Sequence, residues 1–267
     1  MPLNIPGILA PFQLLRNPRL VIPHLTTDIR QIDFLALRNA GYRGAVFDKD
    51  NCLVGHKIFA VSNCLNTQQT IPYKDSLVPE LENAWRECRE TFGEGNVLIV
   101  SNSAGTKFDA GGIQAESVSY CLSVPVLRHN TLKPGYSCIA SIRAYFLSLP
   151  VPVRDDELVV VGDRIFTDVI MANRMRSRAA SLPFSSDAPA RARIGGPLAI
   201  LTDGVWQKES MTMRWVERRV VDTVRKWARN EENLSVDTNV FVRELPSPEP
   251  RKNGSALTKL LDMMKRR

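Results

Sequence analysis

The chain has little from which to build a disulfide framework, a zinc site or a membrane span. Its five cysteines, Cys52, Cys64, Cys88, Cys121 and Cys138, are odd in number and include no C-x-x-C pair, so the spacing those scaffolds need is missing. Three histidines, His24, His56 and His129, are too scattered to suggest a metal cluster. No stretch approaches the roughly 20 continuous apolar residues that cross a bilayer. Aromatic residues are only 7% of the chain, and no base-stacking platform is recognisable, so nucleic acid is not an expected partner. The cysteine usage fits a reduced intracellular compartment.

Charge is present but unevenly placed. Of the net +7, the ends carry the excess: residues 1–43 hold five arginines against two aspartates, and residues 211–267 hold 13 basic and 8 acidic residues. Residues 44–210 are close to balanced, with 17 basic and 18 acidic side chains. Basic ends attract polyanions, an anionic membrane surface or a nucleic acid. Within "MRWVERRVVDTVRKWARN" (213–230), Val216, Val220, Val224 and Trp227 share a helical face, and six cations, Arg214, Arg218, Arg219, Arg225, Lys226 and Arg229, lie largely elsewhere. That is the pattern of an interfacial amphipathic helix, or of a helix packing its apolar stripe on a core.

From residue 44 the chain alternates between strand and helix patterns. Short apolar runs at 44–48, 96–105, 124–129, 157–163 and 198–202 read as strands, and amphipathic stretches at 78–93, 113–123, 135–149 and 167–175 read as helices. Continuous apolar strands between helices imply an α/β fold, a doubly wound Rossmann-like parallel sheet with helices on both faces. The domain reading is 1–43, a basic and apolar segment facing a membrane; 44–210, the core, with the Ser/Ala/Arg/Pro/Gly-rich 177–197 as a mobile insertion; 211–232, the basic helix; and 233–267, a tail.

In such sheets ligands bind at the carboxyl ends of strands, and every notable polar residue falls at such an end. "AVFDKDNCLVGH" (45–56) delivers Asp48 and Asp50, "VLIVSNSAG" delivers Ser101 and Asn102, "HNTLKPG" delivers Lys133, and "VVGDRIFTD" delivers Asp163 and Asp168. Each alone reads as a turn or cap residue; their joint occurrence at successive strand ends reads as one site. Carboxylates, a hydroxyl and an ammonium at one site suit a hydrolysis that needs a nucleophile and charge neutralisation together. A carboxylate nucleophile splits the reaction in two steps, with Asp48 the better candidate because the strand ends on it. Asp50 would then move protons. Clustered carboxylates call for a cation, and hard oxygen ligands select Mg²⁺. Lys49, on an extended strand, would point to the opposite face and so serve poorly as their counter-ion.

These four motifs resemble the haloacid dehalogenase superfamily of phosphotransferases. "VFDKDNCL", "VSNSAG", "LKPG" and "VVGDRIFTDVIMANRM" look like the mitochondrial phosphatidylglycerophosphate phosphatases of fungi and plants. Cys52 stands where the superfamily often has Thr or Val. The resemblance implies that Asp48, the Asp50 carbonyl and Asp163 hold Mg²⁺, that Asp168 orients them, and that Ser101, Asn102 and Lys133 bind the phosphate. It further implies conversion of phosphatidylglycerophosphate to phosphatidylglycerol, through an aspartyl-phosphate, in cardiolipin biosynthesis. The expected place is the matrix side of the inner mitochondrial membrane, as a peripheral protein whose partners are the anionic phospholipid and its membrane surface. The roughly 25 residues at 53–77 are short for an inserted cap domain, which suits a large or surface-held substrate. The alternatives are a capless phosphatase for a nucleic-acid end or a phosphoprotein, and a non-enzymatic membrane-associated interaction protein. Oligomeric state stays open, a homo-oligomer included.

Overall fold

In the computed structural model, which describes residues 17–50, 52–54, 77–179, 196–202, 211–228 and 238–244, the apolar runs become a five-stranded, all-parallel sheet. The strands are β1 (Leu25–Thr27), β2 (Gly44–Phe47), β3 (Val97–Ile99), β4 (Leu158–Gly162) and β5 (Leu198–Thr202), arranged β1-β5-β4-β2-β3. Residues of β2, β3 and β4 are buried throughout, as a sheet covered on both sides requires. Alternate side chains feed two cores. Ala45, Phe47, Ile99, Val159 and Val161 face one, with Phe34, Trp85, Cys88, Phe92 and Val118. Val46, Leu98, Val160 and Ala199 face the other, with Ile139, Ile142, Phe146, Ile170 and Val221.

The helices supply those second partners: α1 (Phe34–Asn39), α2 (Glu82–Phe92) and α3 (Ile113–Leu122) on the first face, α4 (Tyr136–Leu147), α5 (Ile170–Ala179) and α6 (Met211–Ala228) on the second. The expected helices at 78–93, 113–123 and 135–149 thus form close to their expected limits. A π turn, Ile165–Val169, precedes α5. Of the segment 177–197, residues 177–179 close α5, and 180–195 lie outside the described residues, as do 55–76.

Two expectations about strands change. The run 124–129 forms no strand but two isolated bridges, Val126 opposite Ile99 and His129 opposite Thr106. Pro125 has no N–H to donate and so confines this segment to the sheet margin; Pro125 O and the Leu127 N–H bond the two sides of Ile99, at 3.0 and 2.9 Å. The fifth strand comes instead from Leu25–Thr27, paired in register with Ile200–Thr202. Residues 17–43, read above as facing a membrane, are therefore built into the fold, with Val21, Leu25, Ile29, Ile32, Phe34 and Leu37 buried in its cores. A three-residue edge strand is too short to carry a periodicity, and its partner lies about 175 residues away.

Between neighbours β2 and β4 the strand order reverses, since β2 leads to β3 on one side and the chain then crosses to β4 on the other. Such a switch point opens a crevice at the strand ends, and Asp48 and Asp163 follow those two strands directly.

Candidate active site

Asp48 still belongs to the ladder through its backbone, its N–H donating to Val161 O at 2.9 Å. Its side chain turns into the crevice, where carboxylate oxygens of Asp48, Asp163 and Asp168 lie within 4.8 Å of one another, all buried. Lys133 enters from the loop before α4, and its Nζ donates to Asp48 Oδ1 at 2.6 Å and to Asp168 Oδ1 at 2.7 Å. Burial opposes the lysine's charge, but Asp168 and Asp48 outweigh it and hold the ammonium above its ordinary pKa. One ammonium does not balance three carboxylates. Burial, with Asp168 and Asp163 adding to it, keeps Asp48 well above the usual range despite Lys133. Burial and Asp168 likewise push Asp163 up to about 6, against the pull of Arg214.

These residues fit a divalent cation. The donors are hard carboxylate oxygens, and Asp163 Oδ1 is buried without a hydrogen-bond partner among the described residues, a costly state that a cation would relieve. Gly162 makes the approach feasible: a Cβ there would stand 2.4 Å from Asp168 Cγ and Oδ2. Asp168 is thereby held against the end of β4, inside the cluster itself.

Asp50 stands apart at the mouth. Its side chain is 39% exposed, with Oδ1 3.1 Å from Lys49 Nζ and Oδ2 accepting from Ser103 Oγ at 2.9 Å. Lys49 therefore does pair with an acid, contrary to the strand-alternation reading. The regular strand stops at Phe47, and the chain folds back so that both the Leu53 and Val54 N–H groups bond Lys49 O; the two-residue period no longer applies.

Ser101 Oγ lies 2.9 Å from Ser103 Oγ and 3.4 Å from Asp50 Oδ2. Asn102 turns its amide to the backbone of Lys133, accepting from its N–H at 2.7 Å, so its contact in the structure is with the loop that carries Lys133. His129 sits between the carbonyls of Ser101 and Thr131, at 3.0 and 2.7 Å, and Arg174 donates to Pro134 O. Loops after β3 and before α4 are thus tied together around Lys133.

The predicted residues Asp48, Asp50, Ser101, Asn102, Lys133, Asp163 and Asp168 are all gathered at these strand ends. Sequence reasoning passed over Ser103, Arg214 and Glu217. Ser103 was visible as the second serine of "SNS". Arg214 donates to Asp163 Oδ2 from α6, and buried Glu217 lies 3.5 Å from Arg164 Nε. Nothing in their own spacing links these two to a motif some 50 residues earlier.

Comparison with known proteins agrees with the motifs. The family model described as mitochondrial PGP phosphatase matches residues 5–182. A chloroplastic phosphatidylglycerophosphate phosphatase of Chlamydomonas reinhardtii is 39% identical over 160 residues, 59% of this chain and 51% of that protein. A mitochondrial phosphatidylglycerophosphatase of Saccharomyces cerevisiae is 34% identical over 175 residues, 66% of this chain and 84% of its own. An Arabidopsis thaliana phosphatidylglycerophosphate phosphatase, chloroplastic or mitochondrial, is 28% identical across 90% of this chain and 60% of its own length. The matched region thus spans about half of the algal relative. No solved structure matches significantly.

Proposed function

The chain belongs to the mitochondrial PGP phosphatase family, and from that premise we propose that it hydrolyses phosphatidylglycerophosphate to phosphatidylglycerol and phosphate. The observation that carries the chemistry is the buried cluster of Asp48, Asp163 and Asp168 around Lys133, with Asp50 apart at the mouth. The relatives' names carry the substrate.

Asp48, Asp163 and Asp168, the carboxylates gathered in the cluster, would hold Mg²⁺. Asp168 would thereby be a ligand, where the motif resemblance gave it only an orienting role beside Asp48, Asp163 and the Asp50 carbonyl. When bound, Mg²⁺ supplies the charge neutralisation that a phosphate dianion among carboxylates requires. The Asp48 carboxylate attacks phosphorus and forms an acyl phosphate as the P–O bond to the glycerol breaks. Asp50 gives the departing oxygen its proton, then takes one from the water that attacks the acyl phosphate and releases inorganic phosphate. Its half-exposed position, braced by Ser103 and Lys49, suits that work at the substrate boundary. Ser101 and Lys133 bind phosphoryl oxygens, Lys133 as a point charge.

A lipid substrate implies a surface. One edge of α6 packs on the core through Glu217 and Val221, while Trp215 and Trp227 stay 60% and 71% exposed. Trp215, Val216, Val220 and Val224 line a shallow apolar hollow of about 290 Å³, flanked by exposed Arg218, Arg219, Arg225 and Lys226. Aromatic rings among cations complement an anionic lipid surface, so we place this face on the membrane that presents the substrate. That membrane would be the inner mitochondrial membrane, reached from the matrix side, and the product would feed cardiolipin synthesis. No described helix is long and apolar enough to cross it.

Phosphate release decides between substrates: phosphatidylglycerophosphate in detergent micelles, a 3′-phosphorylated oligonucleotide and an aryl phosphate, each with Mg²⁺ or EDTA. Turnover of the lipid with Mg²⁺, lost in EDTA, is expected; turnover of the oligonucleotide but not the lipid would sink the reading. Asp48→Asn should lower turnover to background on every substrate with the cooperative melt retained.

A further inference from the structure

Arg214 lies on α6, a helix whose sequence suggests a lipid surface or packing on a core, yet its guanidinium donates to Asp163 Oδ2. The other oxygen of that carboxylate, Oδ1, is buried without a hydrogen-bond partner among the described residues, and Asp48 and Asp168 each offer an oxygen in the same cluster. The two oxygens of Asp163 thus differ in kind, one tethered and one available. We propose that Arg214 is a positioning residue of the cation site, fixing the Asp163 carboxylate so that Oδ1 faces the bound cation. This rests on the Mg²⁺-dependent reading above.

The physical need is rotational. The terminal torsion of an aspartate is broad, so a carboxylate held by nothing can turn both oxygens away from a ligand. A planar guanidinium on one oxygen removes that freedom, and partners of this kind commonly decide how well a ligand set binds its metal. The seat of Arg214 is itself fixed. Three residues along α6, Glu217 is buried. Arg164, next to Asp163, lies 3.5 Å from the same Glu217 carboxylate. Helix and ligand-bearing turn are therefore held together at two neighbouring points, Arg214 on Asp163 and Glu217 beside Arg164. Charge points the same way. Asp48, Asp50, Asp163 and Asp168 face Lys49, Lys133 and Arg214, so a divalent cation leaves the site with one net positive charge for an incoming phosphate.

The rival reading is that Arg214 stands in for the cation and competes with it, and the two predict opposite signs. Mg²⁺ is titrated calorimetrically into the substrate-free full-length protein, as wild type, Arg214→Gln and Arg214→Lys. Positioning predicts that Arg214→Gln weakens Mg²⁺ binding roughly 10-fold or more, and that Arg214→Lys, with the charge but not the fork, recovers part of it. Unchanged or tighter binding in Arg214→Gln overturns the inference. Should Arg214→Gln lose its cooperative melt, Arg214→Lys decides alone: weaker binding than wild type supports positioning, and equal or tighter binding overturns it. Wild-type protein that binds no Mg²⁺ would overturn the cation-dependent reading and this inference together, whereas normal wild-type binding with no effect of either variant overturns the inference only.

Discussion

Asp163 shows how far burial moves a single group. With a pKa of about 6, against about 4 for an ordinary aspartate, the folded chain holds this proton more tightly than the unfolded chain does. Its contribution to stability is therefore full below about pH 4 and fades as pH rises through about 6. A cation at Oδ1 must displace the same proton, so Mg²⁺ affinity should weaken by up to about tenfold per pH unit below about 6. Calorimetry near pH 5 and pH 7.5 checks this, and a flat profile would remove Asp163 from the ligand set. Lys133 is the counterpart, a fully buried ammonium kept charged by two carboxylates. The identities of these residues were legible from the motifs. Their partition into a buried triad and a half-exposed Asp50 was not, because that depends on where the chain turns after Phe47, and Lys49 was misjudged for the same reason.

At the scale of elements, the end of β4 and the turn after it decide whether the cluster can form. Gly162 is the last residue of β4, and the Asp168 carboxylate occupies the space its side chain would fill. Gly162→Ala should cost about 1–3 kcal/mol by overpacking and, by displacing Asp168, lower Mg²⁺ affinity at least tenfold. Wild-type affinity in that variant would place Asp168 outside the cation site. Strands β2, β3, β4 and β5 were legible because each is a continuous apolar run, and α2, α3 and α4 because their apolar residues recur at helical spacing. Strand β1 and the bridge at Val126 were not, since edge pairing is fixed by a distant partner and by Pro125 rather than by local pattern.

At the scale of the molecule, α6 joins two surfaces. Its inner edge reaches the crevice at the strand ends through Arg214 on Asp163 and Glu217 beside Arg164, and its outer face offers Trp215, Val216 and Trp227 among arginines. Changing Arg218, Arg219, Arg225 and Lys226 together to Gln should abolish most sedimentation with anionic liposomes, since each cation near such a surface contributes about 1 kcal/mol. Binding that survives unchanged would take this helix off the membrane. Added salt should weaken the wild-type interaction in the same assay. The sequence by itself determined the alternating α/β architecture and which acids, serines and lysine gather at its strand ends, because burial on both faces and the polar residues that close each strand are written into local residue types. Only the tertiary structure decided that residues 17–43 complete the fold and that a basic helix contributes Arg214 to the site. Those outcomes depend on contacts between segments some 50 to 175 residues apart, and no local pattern encodes which distant surface a segment will meet.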